Sequence, residues 1–208
     1  MDFVENVGRR NRVAGDNGEF IHVGMLSLNG YERNTLYKNL GNGKFRDVGY
    51  LEGADLIEDG RGLGFLDVDI DGDLDMVTCN YLLPSRLLVN HVPKERHWIR
   101  LWLQGTSSNR SAIGARVTLQ HGTRKQSREV RSTAGYLSGQ SLYLHFGLAR
   151  DQVVDRLVVY WPSGGTQEFD SVPADRFYRI VEGSDEPVPV FSPGSEVRVV
   201  PAAATGNE

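Results

Sequence analysis

Five aspartates alternate with other residues over nine positions, and this stretch is the strongest chemical signal in the sequence. From residue 67 it reads Asp-Val-Asp-Ile-Asp-Gly-Asp-Leu-Asp, which gives carboxylates at Asp67, Asp69, Asp71, Asp73 and Asp75. Calcium is a hard cation that takes six to eight oxygen ligands, and a tight loop presents alternate carboxylates to one point. Without a cation, carboxylates so close together repel one another. The pattern therefore predicts a calcium-binding loop.

Each position of this loop has an expected role. Gly72 stands sixth, where a sharp turn is needed, and Asp73 stands seventh, where the main-chain oxygen is the usual ligand. Asp75 stands ninth and closes the site. The many oxygens and flexible geometry favour calcium over magnesium. The loop is not an EF-hand, because its twelfth position is Thr78 and its flanks are β-like. The alternative is a solvated acidic turn without metal, although an ordinary turn requires neither the alternation nor the glycine.

Composition bounds the class of protein. The 208 residues are 39% hydrophobic and 24% charged, as in a soluble globular protein. A net charge of −4 and the absence of a continuous basic block argue against nucleic acid as a partner. No apolar stretch approaches the roughly 20 residues that span a membrane, so membrane insertion is not expected. The first ten residues are not a secretory signal, so either the protein stays in the cell or a signal lies outside this chain. The lone Cys79 is expected to be a buried small hydrophobe.

The first part of the chain reads as short strands separated by turns, which predicts an all-β fold. Strands are expected at 34–39, 45–48, 74–78 and 86–90, with a tight Gly/Asn turn at 41–44. The segments 35–39 and 86–90 share one form: a polar residue, an aliphatic position and a final Asn. Their separation of about 50 residues matches the repeat length of a β-propeller blade. We therefore expect partial propeller blades in a domain covering 1–92.

The second part of the chain predicts an antiparallel β-sandwich. A shift in composition at 91–97 indicates a boundary, after which seven short strands follow at regular spacing. These expected strands are 98–103, 115–121, 125–131, 142–146, 157–161, 166–169 and 177–181. The strand at 125–131 is polar and edge-like. The sandwich domain is expected over 93–183, followed by a flexible tail at 184–208 with one strand at 196–200.

One strand of this domain carries a candidate ligand-binding face. Alternation along 98–103 places Trp98, Arg100 and Trp102 on one side and three aliphatic residues on the other. Exposed aromatics on a flat sheet can stack on sugar rings, whereas buried ones belong to a core. The arginine between the two tryptophans indicates a partly exposed face. Both interpretations of the two tryptophans stay open at this point.

The sequence supports a catalytic site less well than it supports a binding module. Carboxylate pairs such as Glu52/Asp55 and Glu58/Asp59 could serve glycoside hydrolysis, which uses two carboxyl groups about 5–10 Å apart. Such pairs are common on protein surfaces, so we expect each of these carboxylates to be a solvated charge. No His spacing typical of a zinc site occurs, and His145 is expected to face solvent or to be hydrogen-bonded structurally. The alternatives to a binding module are therefore a carbohydrate-active hydrolase, which would use surface carboxylates and the aromatic face, and a purely structural assembly domain.

Several short motifs carry a resemblance to a known family. Residues 62–80 resemble the calcium loop of FG-GAP (VCBS-type) propeller repeats, and 34–48 resemble a blade end of the same repeats. Residues 98–182 resemble the ASPIC/UnbV domain of the cartilage acidic protein-like family. The motifs of that domain are Ser-Asn-Arg-Ser-Ala-Ile-Gly-Ala-Arg-Val at 108–117, Arg-Glu-Val-Arg at 128–131, Gly-Tyr-Leu-Ser at 135–138, Leu-His-Phe-Gly-Leu at 144–148 and Val-Tyr-Trp-Pro-Ser-Gly at 159–164.

The resemblance implies a calcium-bearing propeller followed by a transthyretin-like β-sandwich. It implies adhesion or recognition of a protein or glycan ligand, in an extracellular or periplasmic setting, and it brings no catalytic residues to carry over. Family members usually carry a whole propeller, and this chain has room for fewer than two blades. We therefore expect either a piece of a longer protein or a short form that completes its fold. Completion would come by self-association into a homo-oligomer, or by folding back the apolar run at 20–26.

Overall fold

The computed structural model describes residues 32–91, 95–133, 135–136 and 138–191. The described chain is all-β: it contains thirteen strands in four sheets, no helix and no closed sheet. The all-β class expected from the sequence is therefore confirmed. No helix of the described residues has the length and apolar character that a membrane crossing requires. The expected strand at 196–200 and the apolar run at 20–26 lie outside the described residues.

The chain divides into two compact units that are not simply consecutive. The first unit comprises 1–66, 74–90 and 133–140, and the second comprises 67–73, 91–132 and 141–208. One break between the units falls between Asn90 and His91. Two short segments belong to the opposite unit from the one expected for a simple division at 92/93. The acidic loop segment 67–73 clusters with the second unit, and 133–140 clusters with the first.

The first unit contains a hairpin and a three-stranded antiparallel sheet. The hairpin pairs β1 (Tyr37–Asn39) with β2 (Phe45–Asp47), and the expected turn lies between them, with Gly41 and Gly43 at positive φ. The sheet has the order β3 (Gly60–Leu66), β4 (Asp75–Asn80) and β5 (Arg86–Leu88). Cys79 on β4 is exposed, so the expectation of a buried thiol is wrong. Cys79 lies on a face of the three-stranded sheet that the described residues leave exposed.

The second unit contains two four-stranded sheets. One has the order β11 (Thr166–Pro173), β10 (Val153–Tyr160), β7 (Arg116–His121) and β8 (Arg124–Glu129). The other has the order β13 (Val188–Phe191), β12 (Arg176–Val181), β6 (His97–Gln104) and β9 (Leu144–Ala149). All seven strands expected in this part of the chain are present, and the polar strand β8 lies at a sheet edge as predicted.

A single buried cluster joins the two sheets of this unit. Alternate residues of the central strands contribute to it, which follows from the two-residue period of a strand. Each fully buried Leu, Ile or Phe adds about 1.5–3 kcal/mol of hydrophobic stabilisation. The largest fully buried apolar side chains of the cluster are Phe146, Ile99, Leu101, Leu103, Leu119, Leu148, Leu157, Ile180, Val117, Val130 and Val154.

Two features differ from the sequence expectation. The unit is not wholly antiparallel, because β12 pairs in parallel with β6, in register from Arg176 opposite Ile99. Parallel neighbours need a crossover connection. Here it contains β9 of the same sheet and all four strands of the other sheet. The segment expected to be a flexible tail from residue 184 contains strand β13, which pairs antiparallel with β12. Its alternation is too short and too rich in proline to stand out in the sequence.

A set of hydrogen bonds to one carboxylate fixes the loop that follows β6. One carboxylate oxygen of Glu182 accepts hydrogen bonds from the backbone N–H groups of Thr106, Ser107 and Ser108, at 2.7–2.8 Å. The other oxygen accepts from the hydroxyl groups of Ser108 and Ser163. Desolvation by itself raises the pKa of Glu182, but the hydrogen bonds from these amide and hydroxyl groups outweigh it and hold the pKa at about 2. The carboxylate therefore ties three separate segments of the second unit together.

We expect the fragment 95–191, which lacks the acidic loop and most of the first unit, to fold by itself. Its core cluster is built entirely from residues between Ile99 and Ile180, so the core stays complete when the preceding residues are removed. Hydrogen exchange should show slow amides on β6, β7, β10 and β12. It should show fast exchange at 133–140, because the partners of that segment, such as the backbone of Leu63, are absent from the fragment. Uniformly fast exchange would contradict this expectation.

We expect Glu182→Gln to lower the free energy of unfolding of this unit by about 1–2 kcal/mol at pH 7, because the amide cannot accept every hydrogen bond made to the carboxylate. The folded-state pKa lies below the ordinary value of 4.5, so the contribution of the carboxylate is present above about pH 4.5 and is lost as the pH falls towards 2. Thermal melts between pH 2 and 7 test this. The difference between wild type and variant should shrink at low pH. Glu168→Gln, which removes an exposed carboxylate paired with Arg156, is the control and should change little.

Candidate metal centre

Three of the five predicted carboxylates converge in the structure. The loop begins directly after β3 ends at Leu66, and one carboxylate oxygen from each of Asp67, Asp69 and Asp71 lies within 4.8 Å of the other two. The Asp67 side chain is buried, although the residue as a whole is partly exposed, whereas Asp69 and Asp71 are exposed. The alternation in the sequence thus becomes a cluster of hard oxygen donors on one side of the loop.

Backbone hydrogen bonds and a glycine shape this loop. The amide of Gly72 donates to Oδ2 of Asp67 at 3.2 Å, and the amide of Asp73 donates to Oδ1 of Asp71 at 3.0 Å. Gly72 has a φ of +95° and Ile70 a φ of +62°, so the chain reverses sharply at both positions. The turn predicted at the sixth position of the loop is therefore present.

A buried ion pair anchors the first carboxylate. Nη2 of Arg100 on β6 donates to Oδ2 of Asp67 at 2.6 Å, and the Asp67 side chain is only 1% exposed. The other oxygen, Oδ1, is buried and has no hydrogen-bond partner among the described residues. Leaving a buried carboxylate oxygen unsatisfied costs free energy. Asp67 therefore has one oxygen neutralised by the guanidinium and a second that is available to a further cation.

The indole of Trp98 lies directly beneath the turn of the loop. A Cβ atom added to Gly72 would lie 1.8 Å from Nε1 of Trp98, so only glycine fits at this position. The ring of His145 on β9 stacks on the same indole, with centroids 6.2 Å apart and planes 18° apart. From the sequence, glycine was expected at position 72 because the turn is sharp. Its close packing against Trp98 is a second reason why this position requires glycine.

His145 also contacts the turn, through a hydrogen bond to Gly72. Its Nε2 lies 2.8 Å from the carbonyl oxygen of Gly72, and since a carbonyl only accepts, Nε2 carries the proton. Burial lowers the pKa of His145 below its ordinary value of 6.5, although the bond to Gly72 partly offsets this effect. The ring is therefore neutral at pH 7 and serves as a structural donor. The structurally bonded role expected for this histidine matches the geometry.

The acidic loop packs against the candidate ligand-binding face of β6, through Trp98 and Arg100. Trp98 is buried, although outside the main core cluster, and the guanidinium of Arg100 lies 5.7 Å from its ring centroid and 5.9 Å from that of Phe177. Trp102 is half-buried and makes an edge contact with Tyr143. Trp98 and Arg100 are therefore occupied by contacts within the second unit, and they do not form an open platform for a sugar ring.

The two remaining aspartates are not part of the converging set. Asp73 follows the turn, where the predicted ligand was its main-chain oxygen rather than its carboxylate. Asp75 opens β4 and is fully buried, and its Oδ1 accepts a hydrogen bond from the amide of Asn90 at 2.8 Å. The ligand role expected for Asp75 at the ninth position stays a prediction.

The carboxylate pairs considered for hydrolysis are engaged elsewhere. Glu58 is buried and paired with the guanidinium of Arg86 at 2.6 Å, and Asp59 is buried and paired with Arg61 at 2.8 Å. Both were expected to be solvated, and that expectation is wrong because arginines from the same sheet cover them. Asp55 pairs with Arg33 at 2.7 Å. These three carboxylates therefore form ion pairs within the first unit.

Comparison with known families gives a match in the second part of the chain. Residues 105–187 match the family model described as ASPIC and UnbV, which confirms the resemblance read from the motifs in this part of the chain. No curated protein matches the chain. The matched segment covers most of the second unit and begins after the acidic loop. Two residues of the family motifs, Ser108 and Ser163, bind the carboxylate of Glu182, so these motifs have a structural role.

Sequence reasoning did not identify the supports of the loop. Arg100 lies 33 residues beyond Asp67, and His145 lies 73 residues beyond Gly72. No local pattern links residues so far apart. The one signal was the arginine between two tryptophans on a strand face, which indicated a polar contact on that face but not its partner.

We expect Gly72→Ala to destabilise the second unit by about 2 kcal/mol or more, because the added Cβ collides with the Trp98 ring and the backbone φ is unfavourable for alanine. Thermal melts in the presence of a chelator measure this effect independently of any metal. Gly147→Ala on β9 is the matched control, because a Cβ there meets nothing within 4 Å. Equal stability of the two variants would contradict the packing described here.

Proposed function

We propose that the acidic loop binds calcium and that the protein is a calcium-stabilised, non-enzymatic recognition module. The observation that carries the proposal is the buried Oδ1 of Asp67, which has no hydrogen-bond partner among the described residues and belongs to a cluster with Asp69 and Asp71. Carboxylate oxygens are the ligands that calcium prefers. A bound dication would satisfy that oxygen and offset the repulsion among the three carboxylates.

All five aspartates of the loop would contribute ligands to the ion. Asp67, Asp69 and Asp71 would supply carboxylate oxygens, and Asp73 and Asp75 would add ligands at the seventh and ninth positions. Arg100 neutralises only one oxygen of Asp67, so the cluster keeps a net negative charge. The two exposed aspartates can adjust to the flexible coordination of calcium, whereas magnesium demands a near-ideal octahedron.

We also propose a finer description of the two units. The three-stranded meander β3–β4–β5, with the acidic loop between its first two strands, supports an FG-GAP/VCBS-type blade region. The two four-stranded sheets that share one core support a sandwich of the transthyretin-like kind in the second unit. Both descriptions rest on strand order and on the motifs of the sequence.

The recognition role is proposed in preference to hydrolysis. Three of the four carboxylates considered for hydrolysis form ion pairs with arginines, so they are not free to act as an acid and a base. The partners that fit an adhesion module are a protein or a glycan outside the cell or in the periplasm. Calcium affinities of extracellular modules, about 10⁻⁴–10⁻³ M, suit a loop with two exposed carboxylates.

We expect calcium to raise the melting temperature of the protein. Binding to the native state alone stabilises it by about 2.7 kcal/mol when calcium reaches 100 times its Kd. Differential scanning fluorimetry with calcium, with magnesium and with EDTA measures the shift. Asp69→Asn and Asp71→Asn should abolish the calcium response while leaving the melt in EDTA nearly unchanged, since both side chains are exposed.

A matched variant separates this effect from a general loss of charge. Asp170→Asn removes an exposed carboxylate from β11, outside the loop, and should keep the full calcium response. If calcium leaves the wild-type transition unmoved, or if Asp170→Asn loses the response as Asp69→Asn does, the proposed metal site is wrong.

A further inference from the structure

The second unit contains a cavity of about 680 Å³ that lies apart from the acidic loop. Three segments form it: the residues before β6, the turn between β7 and β8, and the end of β9 with the turn that follows. Its volume falls in the range of small-molecule binding sites. None of its lining residues is aromatic or a large aliphatic. The lining residues are Glu95, Arg96, Gly122, Thr123, Arg124, Ala149, Arg150 and Asp151.

Three of the lining residues are arginines. Arg96, Arg124 and Arg150 are exposed, and none of them forms an ion pair or a side-chain hydrogen bond with another described residue. With the carboxylates of Glu95 and Asp151, the lining has three cationic and two anionic side chains and therefore a formal net charge of +1, in a chain whose net charge is −4. Guanidinium groups bind carboxylate, sulfate and phosphate oxygens through paired hydrogen bonds.

An oriented carboxylate lies in the same cavity. Oδ2 of Asp151 lies 2.6 Å from Nδ1 of the fully buried His121. The side-chain amide of Gln126 donates to the carbonyl of Gly147 and lies 2.9 Å from Nε2 of His121. Because that amide is a donor, Nε2 accepts and Nδ1–H donates to Asp151. The Nδ1–H group therefore holds the carboxylate in a fixed orientation.

The second oxygen of this carboxylate is available to a ligand. Oδ1 of Asp151 makes no hydrogen bond to a described residue, and the side chain is 44% exposed. A fixed carboxylate accepts hydrogen bonds from hydroxyl groups but repels an anion. The cavity thus offers acceptors for hydroxyl groups together with cationic groups for an oxyanion. Thr123 adds a hydroxyl that both donates and accepts.

We propose that this cavity binds an acidic sugar, that is, a saccharide unit that carries a carboxylate or sulfate group as well as free hydroxyls. The arginines would bind the anionic group, and Asp151 and Thr123 would bind the hydroxyls. Arginine clusters also recognise acidic peptide motifs. A saccharide fits better because Asp151 and Thr123 are hydrogen-bond partners for its hydroxyl groups, whereas Asp151 would repel the carboxylates of an acidic peptide.

Calorimetry on the full chain tests the proposal. The probes are a glucuronate-containing disaccharide, a sulfated disaccharide, maltose as the neutral sugar, inorganic sulfate and a hexaglutamate peptide. All titrations contain EDTA, so that calcium bridging at the acidic loop cannot contribute. We expect one or both acidic disaccharides to bind at least tenfold more tightly than maltose, sulfate or the peptide, and this affinity should fall as salt rises. The better of the two identifies the anionic group.

Single substitutions locate the binding. Arg124→Gln and Arg150→Gln should each weaken the acidic disaccharide about tenfold, as expected for the loss of a charged hydrogen bond. Arg110→Gln is the matched control: it removes an exposed arginine from the same unit, outside the cavity, and should leave the affinity unchanged. All three side chains are exposed, so the melting temperatures should stay close to that of the wild type.

Several outcomes would overturn the proposal. These are the absence of binding by both acidic disaccharides, equal binding of maltose or of the glutamate peptide, and an equal loss in the Arg110→Gln control. The result is independent of the proposed calcium site, because the metal is chelated throughout and none of the cavity residues belongs to the acidic loop.

Discussion

The two faces of strand β6 lie in different environments, one in the hydrophobic core and the other against the acidic loop. Most of the second unit depends on this arrangement. Ile99, Leu101 and Leu103 face the core, where all three are fully buried. The alternate residues Trp98 and Arg100 contact the acidic loop instead. A shift of one residue in the register of this strand would exchange the two faces. It would place an arginine in the core and release the loop, so the core and the candidate metal centre share one constraint.

The candidate metal centre combines a buried charge with exposed ones. The Asp67 side chain is 1% exposed and is neutralised through one oxygen by Arg100, while Asp69 and Asp71 remain in contact with solvent. The guanidinium fixes the position of the loop at a cost in desolvation, which a close charged hydrogen bond offsets. The exposed carboxylates carry no such constraint and can adjust to an ion. Rigidity and adaptability therefore reside in different residues of the same loop.

Local signals predicted the strands well and the long-range contacts poorly. Alternation predicted every strand of the second unit except β13, and the acidic spacing predicted the cluster formed by Asp67, Asp69 and Asp71. The parallel pairing of β6 with β12, and the contacts of Arg100 and His145 with the loop, could not be predicted. Such pairings depend on which sheet a later strand joins, and the two-residue period of a strand is the same in either case.

The position of β6 between β9 and β12 has a consequence for synthesis of the chain. Its two partners begin about 47 and 79 residues later, at Leu144 and Arg176. A nascent chain therefore carries an apolar strand with both edges unpaired while more than half of the second unit is still being made. Loop closure over such distances is slow, and unpaired apolar edges promote aggregation. We therefore expect the yield of folded protein on overexpression to depend on how long the two edges of β6 remain unpaired.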